Sequence, residues 1–166
     1  NQIKKMLQVK YCIALPSCTS ALFLAVKILN LKKNQEILIP NITFAASANA
    51  AFMAGVKIKF VDVNPETLNI DLSDLRKKIN KNTKAIMPVH VSGRACDMSS
   101  IMKIAKKKKL YVIEDAAEAF LSKYKKKFLG TIGDMGCFSL SPNKIFTSGQ
   151  GGLLVTNNKH YYKKLS

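Results

Sequence analysis

The chain has 166 residues, 48% hydrophobic and 22% charged, which suits one globular domain with a real core and excludes a disordered chain. Lysine and arginine outnumber the acids 27 to 10, a formal charge of +17 that points to an anionic partner: nucleic acid, a membrane surface or a small anionic substrate. The basic residues are scattered without aromatic interleaving, which argues against nucleic acid, and no apolar run reaches the roughly 18 residues of a membrane span.

Taken in order, residues 1–9 read as the end of a helix and 11–15 as a short buried strand. Residues 16–19, PSCT, break that strand and open an apolar helix from about residue 20 to 29. Hydroxyls at such a start either cap the free backbone N–H groups or stand beside them at a bound phosphate. A second strand, 36–39, ends at Pro40 and Asn41, and Thr43 is the expected N-cap of an alanine-rich helix that runs through Ala54 and closes at Gly55. Phe44 then falls in the first helical turn, where it either packs or covers a flat ligand at the strand ends. The pattern continues with a strand at 57–63, a short basic helix to 79 capped by Asp71 or Ser73, and a strand at 84–90. A helix at 99–108 and a fully apolar strand at 110–113 follow, the latter delivering Glu114 and Asp115 to its C-terminal end. Residues 124–128 read as a basic hairpin, 137–140 and 152–156 as two further strands, and residue 158 starts a helix. The connection 141–151 suits an antiparallel neighbour better than a crossover. Strands alternating with helices predict an α/β fold: a mainly parallel sheet of about seven strands with helices on both faces. Ligands of such sheets gather at the strand C-termini, so residues 16–20 and 41–44, His90 and Asp115 should share one rim.

Among the groups that carry chemistry, Lys144 stands apart. Most other lysines sit in clusters such as 106–109 and 125–127, whereas Lys144 lies between a strand and the glycines 149, 151 and 152. A lysine that forms a Schiff base needs such a rigid, partly buried junction. Asp115, at the end of an apolar strand, requires a donor or a cation: it either caps the following AAEAF segment as a short helix or meets a pyridinium nitrogen. His90 is either satisfied locally or placed near the site, and Arg94 and Asp97 read as structural. Cys12, Cys18, Cys96 and Cys137 form no CxxC pair and read as reduced thiols, which suits the cytoplasm. His90 and His160 lack the ligand-spaced neighbours of a zinc site, so no metal is expected.

Six stretches carry a resemblance: ALPSCTSALFLAV, IPNITFAASANAAFMAGVKIKFVDV, NID, IMPVHVSGRACDM, VIEDAAEAF and GTIGDMGCFSLSPNKIFTSGQGG. In this order and spacing they resemble the sugar aminotransferases of the DegT/DnrJ/EryC1/StrS family, fold-type I enzymes of pyridoxal 5'-phosphate. The resemblance implies that Lys144 carries the cofactor and shuttles the proton, and that Asp115 partners the pyridine nitrogen. It further implies that Thr19, Ser20 and Ser139 contact the phosphate and that Phe44 stacks on the ring. Glu118 stands where many members carry glutamine near the cofactor hydroxyl, and glutamate occurs there in members that resemble perosamine synthases. A glutamate facing that phenolate must share a proton or point elsewhere. Relatives with histidine in place of the lysine are dehydratases, so Lys144 favours transamination from an amino acid, expected to be glutamate, to a nucleotide-linked keto-sugar of cell-surface polysaccharide synthesis. The alternatives are a non-catalytic relative of the fold or a dehydratase. Because family chains are longer and dimeric, residues 1–166 are expected to be the cofactor-binding large domain of a homodimeric protein, without its N-terminal segment and C-terminal small domain.

Overall fold

The computed structural model describes residues 2–165. A seven-stranded sheet forms its centre, in the order β1-β9-β8-β5-β4-β2-β3. Its strands are β1 (Tyr11–Leu15), β2 (Glu36–Pro40), β3 (Lys57–Val61), β4 (Thr83–Ile86), β5 (Tyr111–Asp115), β8 (Met135–Ser139) and β9 (Gly152–Thr156). The short strands β6 (Lys123–Tyr124) and β7 (Lys127–Phe128) form the separate basic hairpin expected from the sequence. From β8 through β5, β4 and β2 to β3 the pairing is parallel, and β9 runs antiparallel to both β8 and β1. The α/β architecture, the strand number and the reversed last strand all follow the sequence pattern.

Period-two alternation divides the core between the two faces. Leu38, Ile86, Val112 and Phe138 pack toward α1 (Gln2–Leu7), α4 (Leu72–Lys78) and α5 (Met98–Lys108). Ile37, Ile39, Ala85, Met87, Ile113 and Cys137 pack toward α2 (Cys18–Ile28), α3 (Ala45–Met53) and α6 (Lys159–Leu165). The parity of β5 therefore sends Glu114 and Asp115, neighbours in sequence, to opposite faces. Among the described residues no helix is long and apolar enough to cross a membrane.

Several elements differ locally from expectation. Helix α2 starts at Cys18, not near residue 20, because extended Ser17 is the N-cap and its side chain accepts the Ser20 N–H. Thr43 does not cap α3. Phe44 holds the cap position without a side-chain hydrogen bond, and the Thr43 hydroxyl meets the Ser47 hydroxyl instead, at 2.6 Å. Strand β1 lies at the sheet edge and is only half-buried. Strand β4 ends at Ile86, short of the expected residue 90, since Pro88 has no N–H for the ladder. Pairing resumes beyond the proline, where Asp115 N–H donates to Pro88 O at 2.9 Å and His90 N–H to Asp115 O at 3.1 Å. Residues 116–120 form turns, not a helix, and the Ala116 N–H is still engaged by Cys137 O across the sheet.

Close approach is required where α2 meets β9. A Cβ added to Gly152 would fall on the backbone of Ser17 and Cys18, and one added to Gly136 on the backbone of Gly130. Gly152→Ala is expected to push the start of α2 off the sheet and cost about 1–3 kcal/mol, read as a lowered urea midpoint with an unchanged slope.

Candidate active site

A cavity of about 390 Å³ opens at the C-terminal ends of the parallel strands, within the roughly 300–1,000 Å³ usual for small-molecule sites. Thr19, Phe44, Asp115, Glu118, Ser139 and Lys144 all line it, as does His90. Of the site residues read from the sequence, only Ser20 lies outside the lining; its hydroxyl faces the N-cap, 3.0 Å from the Ser17 Oγ. Ser17 and Thr43, inside the segments expected at the rim, also line it, and so does Ser141, which sequence reasoning did not select.

Asp115 forms the deep wall and is 4% exposed. Its Oδ2 accepts from Ser47 Oγ at 2.6 Å and its Oδ1 from Ala117 N–H at 3.2 Å. Burial raises the carboxyl above its ordinary pKa, opposed by these two hydrogen bonds and by nearby His90. A buried acid with two donors is only partly compensated, and a cation in the cavity would complete its surroundings.

Lys144 sits on the loop between β8 and β9, its backbone N–H donating to Ser141 O at 3.0 Å. Its ammonium donates to Glu118 Oε1 at 3.3 Å, and the lysine side chain is 19% exposed. Glu118 Oε2 accepts the Ser92 N–H at 2.8 Å. The Ser92 hydrogen bond, with help from Lys144, holds Glu118 below the usual glutamate range. Glu118 thus links two loops across the cavity mouth, and Ser92 takes a left-handed φ of 51° where its N–H is held.

Another wall consists of the first turn of α2 and the end of β8. Thr19 belongs to that turn, whose first N–H groups have no partner within the helix. The Ser139 hydroxyl lies 2.9 Å from that of Ser141. Phe44 is 82% exposed at the rim and projects beside the cavity.

Sequence reasoning missed the role of Glu114. The side chain is fully buried, and its carboxylate accepts N–H groups from Gly130 at 2.8 Å and from Ile132 and Gly133 at 2.6 Å each. It also accepts from His90 Nε2 at 3.0 Å. His90 Nδ1 receives the Cys96 N–H at 3.3 Å, which in the neutral ring puts the hydrogen on Nε2, facing Glu114. Burial works to lower the His90 pKa, and the Glu114 carboxylate facing Nε2 opposes it and raises it. Both ring nitrogens are engaged, so His90 is satisfied locally and still forms cavity wall. Asp97 is structural: it caps α5 and accepts the Tyr124 hydroxyl at 2.7 Å. Glu114 was legible only as a buried charge at a strand end, a signal that demands partners without naming them.

A profile of the DegT/DnrJ/EryC1/StrS aminotransferase family matches residues 1–166. The GDP-perosamine synthase of Escherichia coli O157:H7 is 43% identical over 164 residues, covering 99% of this chain and 45% of the synthase. Among solved structures, an aminotransferase from Psychrobacter cryohalolentis superposes with a TM-score of 0.96 at 35% identity, over 99% of this chain and 42% of its own. The E. coli GDP-4-keto-6-deoxy-D-mannose-3-dehydratase with bound hydrated PLP gives 0.94 at 30% identity, over 99% and 44%. The chain spans less than half the length of these relatives.

Two measurements test the electrostatics. Because the folded carboxyl of Asp115 is raised, ionising it subtracts stability as pH rises through the window above its ordinary value of 3.8. Asp115→Asn should therefore gain stability relative to wild type at neutral pH and lose that advantage below about pH 4, in parallel urea titrations. Glu114→Gln replaces one acceptor oxygen by a donor facing backbone N–H groups; a loss of about 2–4 kcal/mol is expected in the same assay.

Proposed function

The chain belongs to the DegT/DnrJ/EryC1/StrS aminotransferase family, and from that membership we propose that it binds pyridoxal 5'-phosphate and moves an amino group from an amino acid, glutamate being the expected donor, to a nucleotide-linked keto-sugar. The single observation that carries this reading is that the Lys144 amine and the Asp115 carboxylate open on the same cavity of about 390 Å³. The residues present fit the cofactor. A partly compensated buried carboxylate matches a protonated ring nitrogen, the α2 start with Thr19 and Ser139 matches a phosphate, and exposed Phe44 can lie against a flat ring.

When bound, the cofactor supplies an aldehyde to hold the migrating nitrogen and a cationic ring to withdraw electrons. Asp115, at the deep wall, would accept a hydrogen bond from the ring N–H and keep that proton in place. Lys144 would hold the cofactor through Nζ, and the same atom, when free, would take and return a proton. Glu118, anchored to Ser92, accepts from the Lys144 Nζ and would hold it oriented toward the cavity. An amine at position 144, where the dehydratase members carry histidine, favours transamination over dehydration. The relatives' GDP-linked sugars support a nucleotide sugar as acceptor, and a spore coat polysaccharide biosynthesis protein among the relatives supports polysaccharide synthesis as the setting.

The same reading makes residues 1–166 the cofactor-binding domain of a homodimer in the cytoplasm. Phe44 and Ile145, beside the cavity, are 82% and 77% exposed, an apolar rim that a second copy would cover. The four cysteines are free, as suits a reducing compartment.

Borohydride reduction with added pyridoxal 5'-phosphate, followed by peptide mass mapping, tests the proposal. A phosphopyridoxyl mass on the Lys144 peptide is expected, absent in Lys144→Ala. Labelling elsewhere, or none, would remove the aminotransferase reading and leave a non-catalytic relative of the fold.

A further inference from the structure

We propose that Ser47 is a positioning residue for Asp115, and that through Thr43 it ties the acid to the segment that carries Phe44. Ser47 lies in the first turns of α3, is 0% exposed and does not line the cavity, so it acts on a bound molecule only through Asp115. The two residues are 68 positions apart in the chain and 2.6 Å apart in space.

Proton bookkeeping fixes the direction of the chain. A carboxylate only accepts, so the one hydroxyl hydrogen of Ser47 is committed to Asp115 Oδ2. The Thr43 Oγ1, 2.6 Å from the Ser47 Oγ, must then be the donor in that pair. Hydrogen bonds therefore run from Thr43 to Ser47 to Asp115, while Ala117 N–H holds the other oxygen at 3.2 Å. With both oxygens fixed, the carboxylate cannot rotate, and its remaining lone pairs keep one bearing toward the cavity. Phe44 sits between Thr43 and α3, so the residue proposed to cover the ring and the two hydroxyls that hold the acid share one backbone segment.

The consequence for a ligand rests on the proposed cofactor. Other groups also act on Asp115: His90 beyond β4, Glu118 in the turns after β5, Cys18 on α2 and Cys137 on β8, with Lys144 on the same cavity. Both thiols stay neutral, since burial holds each well above its usual range. Burial raises Asp115 and Ser47 opposes it. Removing the hydroxyl raises the carboxyl further, and the acid side of cofactor binding moves to higher pH.

The test compares Ser47→Ala and Ser47→Thr with wild type by two readouts: Asp115 titration in the cofactor-free protein by carbon-13 NMR, and the pyridoxal 5'-phosphate dissociation constant against pH. For Ser47→Ala, Asp115 should titrate higher, cofactor affinity should fall about tenfold, and its acid midpoint should move up. Ser47→Thr, which keeps the hydroxyl, should restore all three. Should Ser47→Ala not fold, Thr43→Val must move the NMR titration the same way by a smaller amount. An unchanged Asp115 titration and acid midpoint in the variant would overturn the inference. Absence of cofactor binding by wild type would instead overturn the proposed function, with the NMR arm still deciding the role of Ser47.

Discussion

Burying a carboxylate in an apolar sheet costs several kcal/mol unless donors meet it, and β5 ends in two carboxylates that meet very different company. Glu114 receives three backbone N–H groups and the His90 ring, as many partners as its two oxygens can use. Asp115 receives two. The first acid binds the turn before β8 to the end of β5 and fixes the floor of the site. The second faces the cavity with its electrostatics partly open, and the chemistry proposed for the cavity depends on that difference.

Around this pair, segments far apart in sequence are brought within one ligand's reach by close backbone contacts. Gly152 lets the start of α2 rest on β9, and Gly136 lets β8 pass against the turn at Gly130. Thr19, Ser139 and Lys144 then share one wall, and α3 presents Ser47 and Phe44 from the other side. Glu118 adds the last connection, between the loop of Ser92 and that of Lys144. The cavity is thus a meeting of loop ends held by a rigid sheet, the usual arrangement for ligand sites in parallel α/β folds.

Much of this was legible in the chain. Alternation gave the strands, the turn residues bounded them, and Asp71 was named as a cap of α4 and holds that place. Lys144 could be singled out because no neighbouring lysine offered the bland explanation of a charged surface run. Legibility failed where a local preference met a distant partner. Thr43 has the chemistry of a cap, but its hydroxyl found Ser47. Residues 116–120 have helical composition, but Ala116 was already paired with Cys137 across the sheet. Ser47 gave no signal, being one serine in an alanine-rich helix whose meaning lies 68 residues away.

The reversed strand β9 has an effect that reaches beyond packing. Because β8 and β9 are adjacent and antiparallel, the segment bearing Lys144 leaves and re-enters the same sheet with no helix to cross. Both of its ends are clamped in the most buried layer, so closing it costs little entropy, while its tip bears little of the fold's weight. One side chain there can be exchanged without disturbing the scaffold. An architecture of this kind can diversify its reaction at a single position while inheriting everything else unchanged.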